Sequence, residues 1–145
     1  MSSSFDFAHA PGHLIRRAQQ IAVSVFSEHL AAFDVTPVQF AILNALMDTP
    51  GIDQVTLAGQ VAFDAATSGS VIGRLESKGW VRREADLKDR RRKMLWLTPE
   101  GAKATLEMGP QVTHVQDQIL KPLEVHEQKQ LLDLLAKLVN AQNNT

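Results

Sequence analysis

The chain has 145 residues, 44% hydrophobic and 21% charged, with a formal net charge of −1 and no cysteine or tyrosine. That length suits one domain with a sizeable core, and the missing cysteines exclude a disulfide framework and every thiolate metal site. No apolar run reaches the roughly 18 residues of a membrane span, and the opening MSSSFDFAHA lacks the basic and apolar regions of a signal peptide, so the sequence predicts a cytoplasmic protein.

The net charge hides an uneven distribution. Residues 74 to 93 hold nine of the fifteen Lys and Arg but only four of the sixteen Asp and Glu. A basic segment on an otherwise acidic body is a footprint for a polyanion, although a solvated charged turn reads the same way.

The first ten residues look frayed, and Pro11 suits the first position of a helix. From Leu14 to Phe33, Leu14, Ala18, Ile21 and Val25 form one apolar row and Ile15, Ala22, Phe26 and Phe33 another. Together they cover roughly 180° of a helical wheel, more than one contact face requires. Thr36-Pro37-Val38-Gln39 reads as a capped helix start, Thr36 bonding forward and Gln39 back. That helix is expected to bury Phe40, Leu43, Leu46 and Met47, and DTPG at 48 to 51 ends it.

A short helix near Asp53 to Ala62 carries Val55, Leu57, Ala58 and Val61. After a turn, Asp64 is placed to cap a third helix, Ala65 to Lys78, that stops at Gly79. Trp80 to Ala85 and Lys93 to Leu97 read as two strands joined by a charged turn. Met94, Leu95, Trp96 and Leu97 give no alternation, so either Leu95 or Trp96 could face inward.

Thr98 and Pro99 start another helix, expected to reach about Leu120 with a bend at Gly109-Pro110, because Pro110 has no N–H for the ladder. Lys121-Pro122 breaks the chain. A last helix, about Glu124 to Asn140, carries Leu131, Leu132, Leu134, Leu135, Leu138 and Val139 over about 160° of its wheel. Both end helices thus carry more apolar surface than a monomer of this size covers, which predicts a homodimer built from them.

The middle of the chain, helix, short helix, helix, strand, charged turn, strand, has the order of a helix-turn-helix followed by a β-hairpin wing. The fold class expected is mainly α with a small β-hairpin wing, and its natural partner is double-stranded DNA. A helix laid in the major groove presents short or cationic groups on one face and apolar groups on the other. Ala66, Thr67, Ser68, Ser70 and Arg74 supply the first set; Val71, Ile72 and Leu75 supply the second. Ser and Thr can bond bases or phosphates, and Arg74 can reach a guanine edge or a phosphate.

Gly69 and Gly73 each cost about 1 kcal/mol against alanine in a helix interior. They mark either close approach to DNA or a neighbouring helix, or tolerated weakness. At the wing, Lys88, Arg90, Arg91 and Arg92 form a cationic tip, with one of the arginines suited to a narrow minor groove. Asp89 would repel phosphate, so its expected role is to pair with an arginine and fix the turn.

VIGRLESKGWVRREADLKDRRRKMLWLTPEGAK resembles the winged-helix region of the MarR family of bacterial transcription regulators. The resemblance rests on Leu75-Glu76 before Gly79, on Arg82-Arg83, on Asp89-Arg90-Arg91 and on Leu97-Thr98-Pro99-Glu100-Gly101, and the end helices extend it over nearly the whole chain. It implies a single domain over residues 1–145, with dimerisation helices at about 11–34 and 99–145 and the winged helix-turn-helix at about 36–98. It implies that Arg91 is the wing-tip arginine and Asp89 its support. It further implies a homodimer on a pseudo-palindromic operator, mostly a repressor, whose DNA affinity falls when a small ligand binds. Gly69 and Gly73 depart from the family's usual recognition helix, which leaves base preference open.

His9, His13, Arg16 and Arg17 crowd the start of the first helix, where a cation can neutralise a carboxylate. This stretch resembles the family branch that controls breakdown of aromatic acids, so an aromatic carboxylate is the effector class it implies; a solvated helix start is the competing reading. A small metal-dependent enzyme is one rival function, but the sequence has no H-E-x-x-H, no G-x-S-x-G and no glycine-rich phosphate loop, and no cofactor is expected. His9 and His13 have a metal-like spacing but no third ligand nearby, and Arg16 and Arg17 would repel a cation, so no metal is expected. A winged helix used only for protein contacts is the remaining alternative.

Overall fold

A computed structural model of the chain describes residues 4–61 and 65–143. Helix α1 (Pro11–His29) is preceded by a single 3₁₀ turn, Phe7–His9, and followed by another, Ala31–Phe33. The sequence pattern runs to Phe33, but the helix stops at Leu30, which is 1% exposed. Asp34, in the left-handed region at φ 52°, then turns the chain toward helix α2 (Pro37–Asp48).

The start of α2 is the expected reciprocal cap. Thr36 Oγ1 accepts from the Gln39 N–H at 3.1 Å, and Gln39 Oε1 accepts from the Thr36 N–H at 3.0 Å. Its buried face is Gln39, Ile42, Leu43 and Leu46. Phe40 is only half-buried, and Met47, expected in the core, is exposed: it follows Leu46 by one residue and so points about 100° away from it.

A two-residue strand β1 (Ile52–Asp53), which the sequence pattern did not suggest, leads directly into α3 (Gln54–Gln60). Leu57 and Ala58 face the core, whereas Val55 is exposed. Helix α4 (Ala65–Ser77) follows; the expected Asp64 cap lies outside the described residues. Gly79, at φ 79°, takes the left-handed position after α4 that any side chain would strain.

Strands β2 (Val81–Ala85) and β3 (Lys93–Leu97) form the hairpin, and β1 adds to the other edge of β3. All pairings are antiparallel, with Leu95 opposite both Ile52 and Arg83. Leu95 is the inward residue of the apolar run, fully buried; Trp96 is half-buried on the other face, with the Arg82 guanidinium 4.6 Å from its ring centroid. Central β3 places Leu95 over the core that Ile42, Leu43, Leu46, Leu57, Ile72 and Leu75 share.

Helix α5 (Pro99–Leu120) runs on through Pro110 and lays Ala104, Met108 and Val115 against the core, packing mainly on α1. Helix α6 (Val125–Asn143) stands apart: every side chain described from Leu132 to Gln142 is exposed. Its start is tied down by Gln128 Nε2, which donates to the carbonyls of Leu120 and Leu123, each at 3.1 Å.

Candidate nucleic-acid interface and effector site

The second helix of the helix-turn-helix, α4, divides by geometry. Ser68, Ile72 and Leu75 fall on one stripe at spacings of four and three, and all three are buried. Ser68 was expected on the DNA-facing side because it is polar; at 1% exposure it cannot reach a groove. Thr67, Ser70 and Arg74 lie on the opposite side and are exposed. Ala66 sits in the first turn, and its side chain lies outside what is described.

Among the described residues, and leaving aside the backbone of α4 itself, a Cβ placed on Gly73 would meet no atom within 4 Å, and one on Gly69 would meet Gln54 Nε2 at 3.6 Å, an ordinary contact. Packing against the described residues therefore demands neither glycine.

The wing turn is held by its acids. Asp86 Oδ1 accepts from the Lys88 N–H at 2.9 Å, and the Asp86 N–H donates to the Arg92 carbonyl at 2.8 Å. Asp89 Oδ1 accepts from both the N–H and Nε of Arg91, at 3.1 and 3.2 Å, while its carbonyl accepts from the Arg92 N–H at 2.9 Å. Asp89 thus closes the turn and orients Arg91, whose side chain remains 93% exposed. Lys88 and Arg90 are exposed beside it.

Arg92 is different from its neighbours. Its guanidinium bridges Asp53 Oδ1 at 3.2 Å and Asp86 Oδ2 at 3.7 Å, so it fastens the wing to the start of α3. Arg92, expected among the DNA-contacting cations of the tip, is thus held by two carboxylates while half of its side chain stays exposed. Asp53 is also the cap of α3: Oδ1 accepts from Thr56 Oγ1 at 2.6 Å and Oδ2 from the Thr56 N–H at 3.1 Å. The Thr56 hydroxyl and then its N–H hold the Asp53 carboxyl down at about 2; partial burial opposes them, and Arg92 adds to them.

A second tie orients α4 itself. Arg83, on β2, donates to Glu76 Oε1 of α4 at 2.6 Å and to Gln54 Oε1 of α3 at 3.1 Å. Both partners of the Arg83–Glu76 pair are about two-thirds buried, so the pair is better shielded than a surface one. A cleft of about 180 Å³ opens between wing and helix, lined by Val55, Ser68, Arg83, Arg91, Arg92 and Lys93 among others. The wing thus meets α4 at Ser68, while Thr67, Ser70 and Arg74 stay exposed on the other side of the helix. The Asp53 and Arg83 links span 39 and 29 residues, and no local sequence signal announces them.

At the start of α1, the structure brings together two of the four residues expected for an effector. Arg16 donates to His13 Nδ1 at 3.1 Å, and the Phe7 ring stacks on His13 with centroids 4.4 Å apart. His9 pairs instead with Asp6 at 2.7 Å, and Arg17 donates to Gln20 Oε1 at 2.8 Å, away from that pair. Phe7 was missed because an isolated aromatic in a frayed-looking segment carries no periodic signal.

A helix-turn-helix with a cationic β-wing and long flanking helices defines a winged helix-turn-helix regulator. The MarR family model matches residues 35–93. Transcriptional regulator HosA from Escherichia coli is 36% identical over 121 residues, covering 80% of this chain and 90% of HosA. This chain therefore belongs to the MarR family of transcription regulators.

Two solved structures extend the likeness. The PcaV transcriptional regulator from Streptomyces coelicolor, in complex with its natural ligand, superposes with a TM-score of 0.89 at 33% identity, covering 97% of this chain and 99% of that one. BpsR from Bordetella bronchiseptica, whose DNA binding is regulated by 6-hydroxynicotinic acid, superposes with a TM-score of 0.88 at 31% identity, covering 94% and 98%.

Proposed function

We propose that the chain is a homodimeric repressor that binds a pseudo-palindromic operator and releases it when an aromatic carboxylate binds near the start of α1. The observation that carries the DNA-binding part is the pair of exposed polar surfaces of the winged helix-turn-helix: Thr67, Ser70 and Arg74 on α4, and Lys88, Arg90 and Arg91 on the wing. In this arrangement α4 enters the major groove, Arg74 reads a base edge or a phosphate, and Arg91 enters the adjacent minor groove. Two copies related by a two-fold axis would present two such helices about one DNA turn apart.

The dimer is supported by α6. Leu132, Leu134, Leu135, Leu138 and Val139 are 40 to 61% exposed, and Leu14, Ile15 and Ile21 of α1 are 49 to 53% exposed. Apolar surface of this extent marks an interface, and a second copy offers the same helices. The Arg16–His13 pair supports the effector class, because a guanidinium beside an imidazole can hold a carboxylate against a flat ring. A small aromatic acid regulating BpsR agrees with that class. A DNA-binding regulator of this kind works in the cytoplasm.

The test is a gel shift with DNA from the regulator's own promoter region, across salt concentrations and with a panel of aromatic acids. Steep loss of affinity with salt and release by an aromatic acid are expected. Absence of any shift at low salt would sink the DNA-binding reading; a shift that no acid relieves would sink the effector reading alone.

A further inference from the structure

We infer that Phe7 occupies the aromatic slot of the effector site, so that an aromatic carboxylate binds by displacing it. The inference rests on the effector reading above and specifies how that site works.

The contacts around His13 divide by chemistry. Its ring face is covered by Phe7, tilted at 41° with centroids 4.4 Å apart. Its Nδ1 is taken by Arg16 at 3.1 Å. A benzoate-like molecule carries a flat ring and a carboxylate on one rigid frame, and so could engage both residues. Phe7 supplies the ring and nothing for the guanidinium, which offers five N–H donors in a fork suited to a carboxylate. The site is therefore covered on its ring side by Phe7, while the exposed Arg16 guanidinium has no carboxylate partner among the described residues.

The holder of Phe7 is weak enough to yield. It is one 3₁₀ turn of three residues, closed by the Ala10 N–H on the Phe7 carbonyl at 3.2 Å. Short 3₁₀ pieces have poor hydrogen-bond geometry. The neighbouring His9–Asp6 pair is 81% and 69% exposed and adds little. Phe7 itself is 58% exposed, so leaving His13 uncovers little further apolar surface. A ligand with a ring of its own replaces the lost stacking and adds a charge-assisted bond that Phe7 cannot make.

The experiment is calorimetric titration of the full chain with benzoate, 6-hydroxynicotinate and cyclohexanecarboxylate, for the parent, Phe7→Ala and Arg16→Ala. Phe7→Ala is expected to tighten benzoate and 6-hydroxynicotinate about two- to ten-fold, the worth of one aromatic pair. Cyclohexanecarboxylate, which has the charge without the flat face, should bind every variant more weakly but show the same gain, because the cost of displacing Phe7 does not depend on the ring that replaces it. Arg16→Ala is expected to abolish binding of all three.

Weaker or unchanged binding to Phe7→Ala overturns the slot assignment; if Arg16→Ala still abolishes binding, the effector site itself stands. Unchanged binding to Arg16→Ala, or no binding by any variant at millimolar probe, overturns the effector site and this inference together. An unchanged thermal midpoint for unliganded Phe7→Ala shows that the fold is intact.

Discussion

Gly101, in the first turn of α5, lies so close against the carbonyl of Trp80 that a Cβ would fall well inside van der Waals distance of that backbone. The junction is doubly fastened. Thr98 Oγ1 accepts from the Gly101 N–H at 3.0 Å and donates to the Gly79 carbonyl at 2.5 Å, and the Thr98 N–H donates to the Trp80 carbonyl at 3.0 Å. Neither backbone can retreat without breaking the cap. Gly101→Ala is accordingly expected to destabilise the chain by about 3 kcal/mol, the upper range for overpacking. Equilibrium denaturation measures this, and a loss below about 1 kcal/mol would contradict the close packing.

The charge on Asp53 links stability to pH. Its carboxyl is lowered to about 2 from an ordinary 3.8, so the folded state favours the ionised form. The stability this contributes is present in full above the ordinary carboxylate range and is lost as pH falls through about 2. Asp53→Asn keeps a capping oxygen but removes the charge that faces Arg92. It should be less stable than the parent by about 1 kcal/mol or less at neutral pH. The gap should close between pH 4 and 2 in denaturant melts; a gap independent of pH would refute the assignment.

Neighbouring arginines of the wing should behave differently. Arg91→Ala is expected to leave the fold unchanged, weaken operator binding across sequences and reduce the salt slope by about one. Arg92→Ala removes the bridge between Asp53 and Asp86, so it should lower stability measurably as well as affinity. Arg74→Ala should weaken binding and also relax sequence preference. Paired melts and salt-dependent gel shifts separate the three; identical behaviour of the Arg91 and Arg92 variants would contradict the bridging role.

Gly73→Ala tests why a helix that must be rigid contains glycine. A methyl group there meets no described residue outside α4, so the substitution is expected to stabilise the fold by about 0.5–1 kcal/mol. If α4 lies close to DNA at this point, the same methyl group should reduce operator affinity. Higher stability with undiminished affinity would leave tolerated weakness as the explanation.

What could be read from the sequence followed local rules. The Thr36–Gln39 cap, the Gly79 stop and the hairpin strands all rest on neighbours within a few residues, and all are present. Three features needed the third dimension. Ser68 was assigned outward by its polarity, but its place on the Ile72–Leu75 stripe decides its burial. Leu95 faces inward through its pairing with Ile52, on a strand too short to carry a pattern of its own. The Arg92–Asp53 and Arg83–Gln54 bonds join residues far apart in sequence and identical in appearance to any other surface charge or amide.

Lys78, at the end of α4, donates to the Phe33 carbonyl at 3.4 Å and pairs with Asp34 at 3.6 Å, across 45 residues of chain. The consequence is mechanical. Arg16 stands thirteen residues before the end of α1, about 20 Å along a helix axis. A sideways push of about 1 Å at Arg16, pivoting at that end, tilts the rod by about 3°. Were α4, itself about 20 Å long, to turn with α1 as one body, the same tilt would sweep its far tip by about 1 Å. Hydrogen bonds to base edges tolerate about half that change in length. A lever of these proportions needs no large rearrangement: a displacement the size of a single side-chain adjustment at one end is enough to misalign the other.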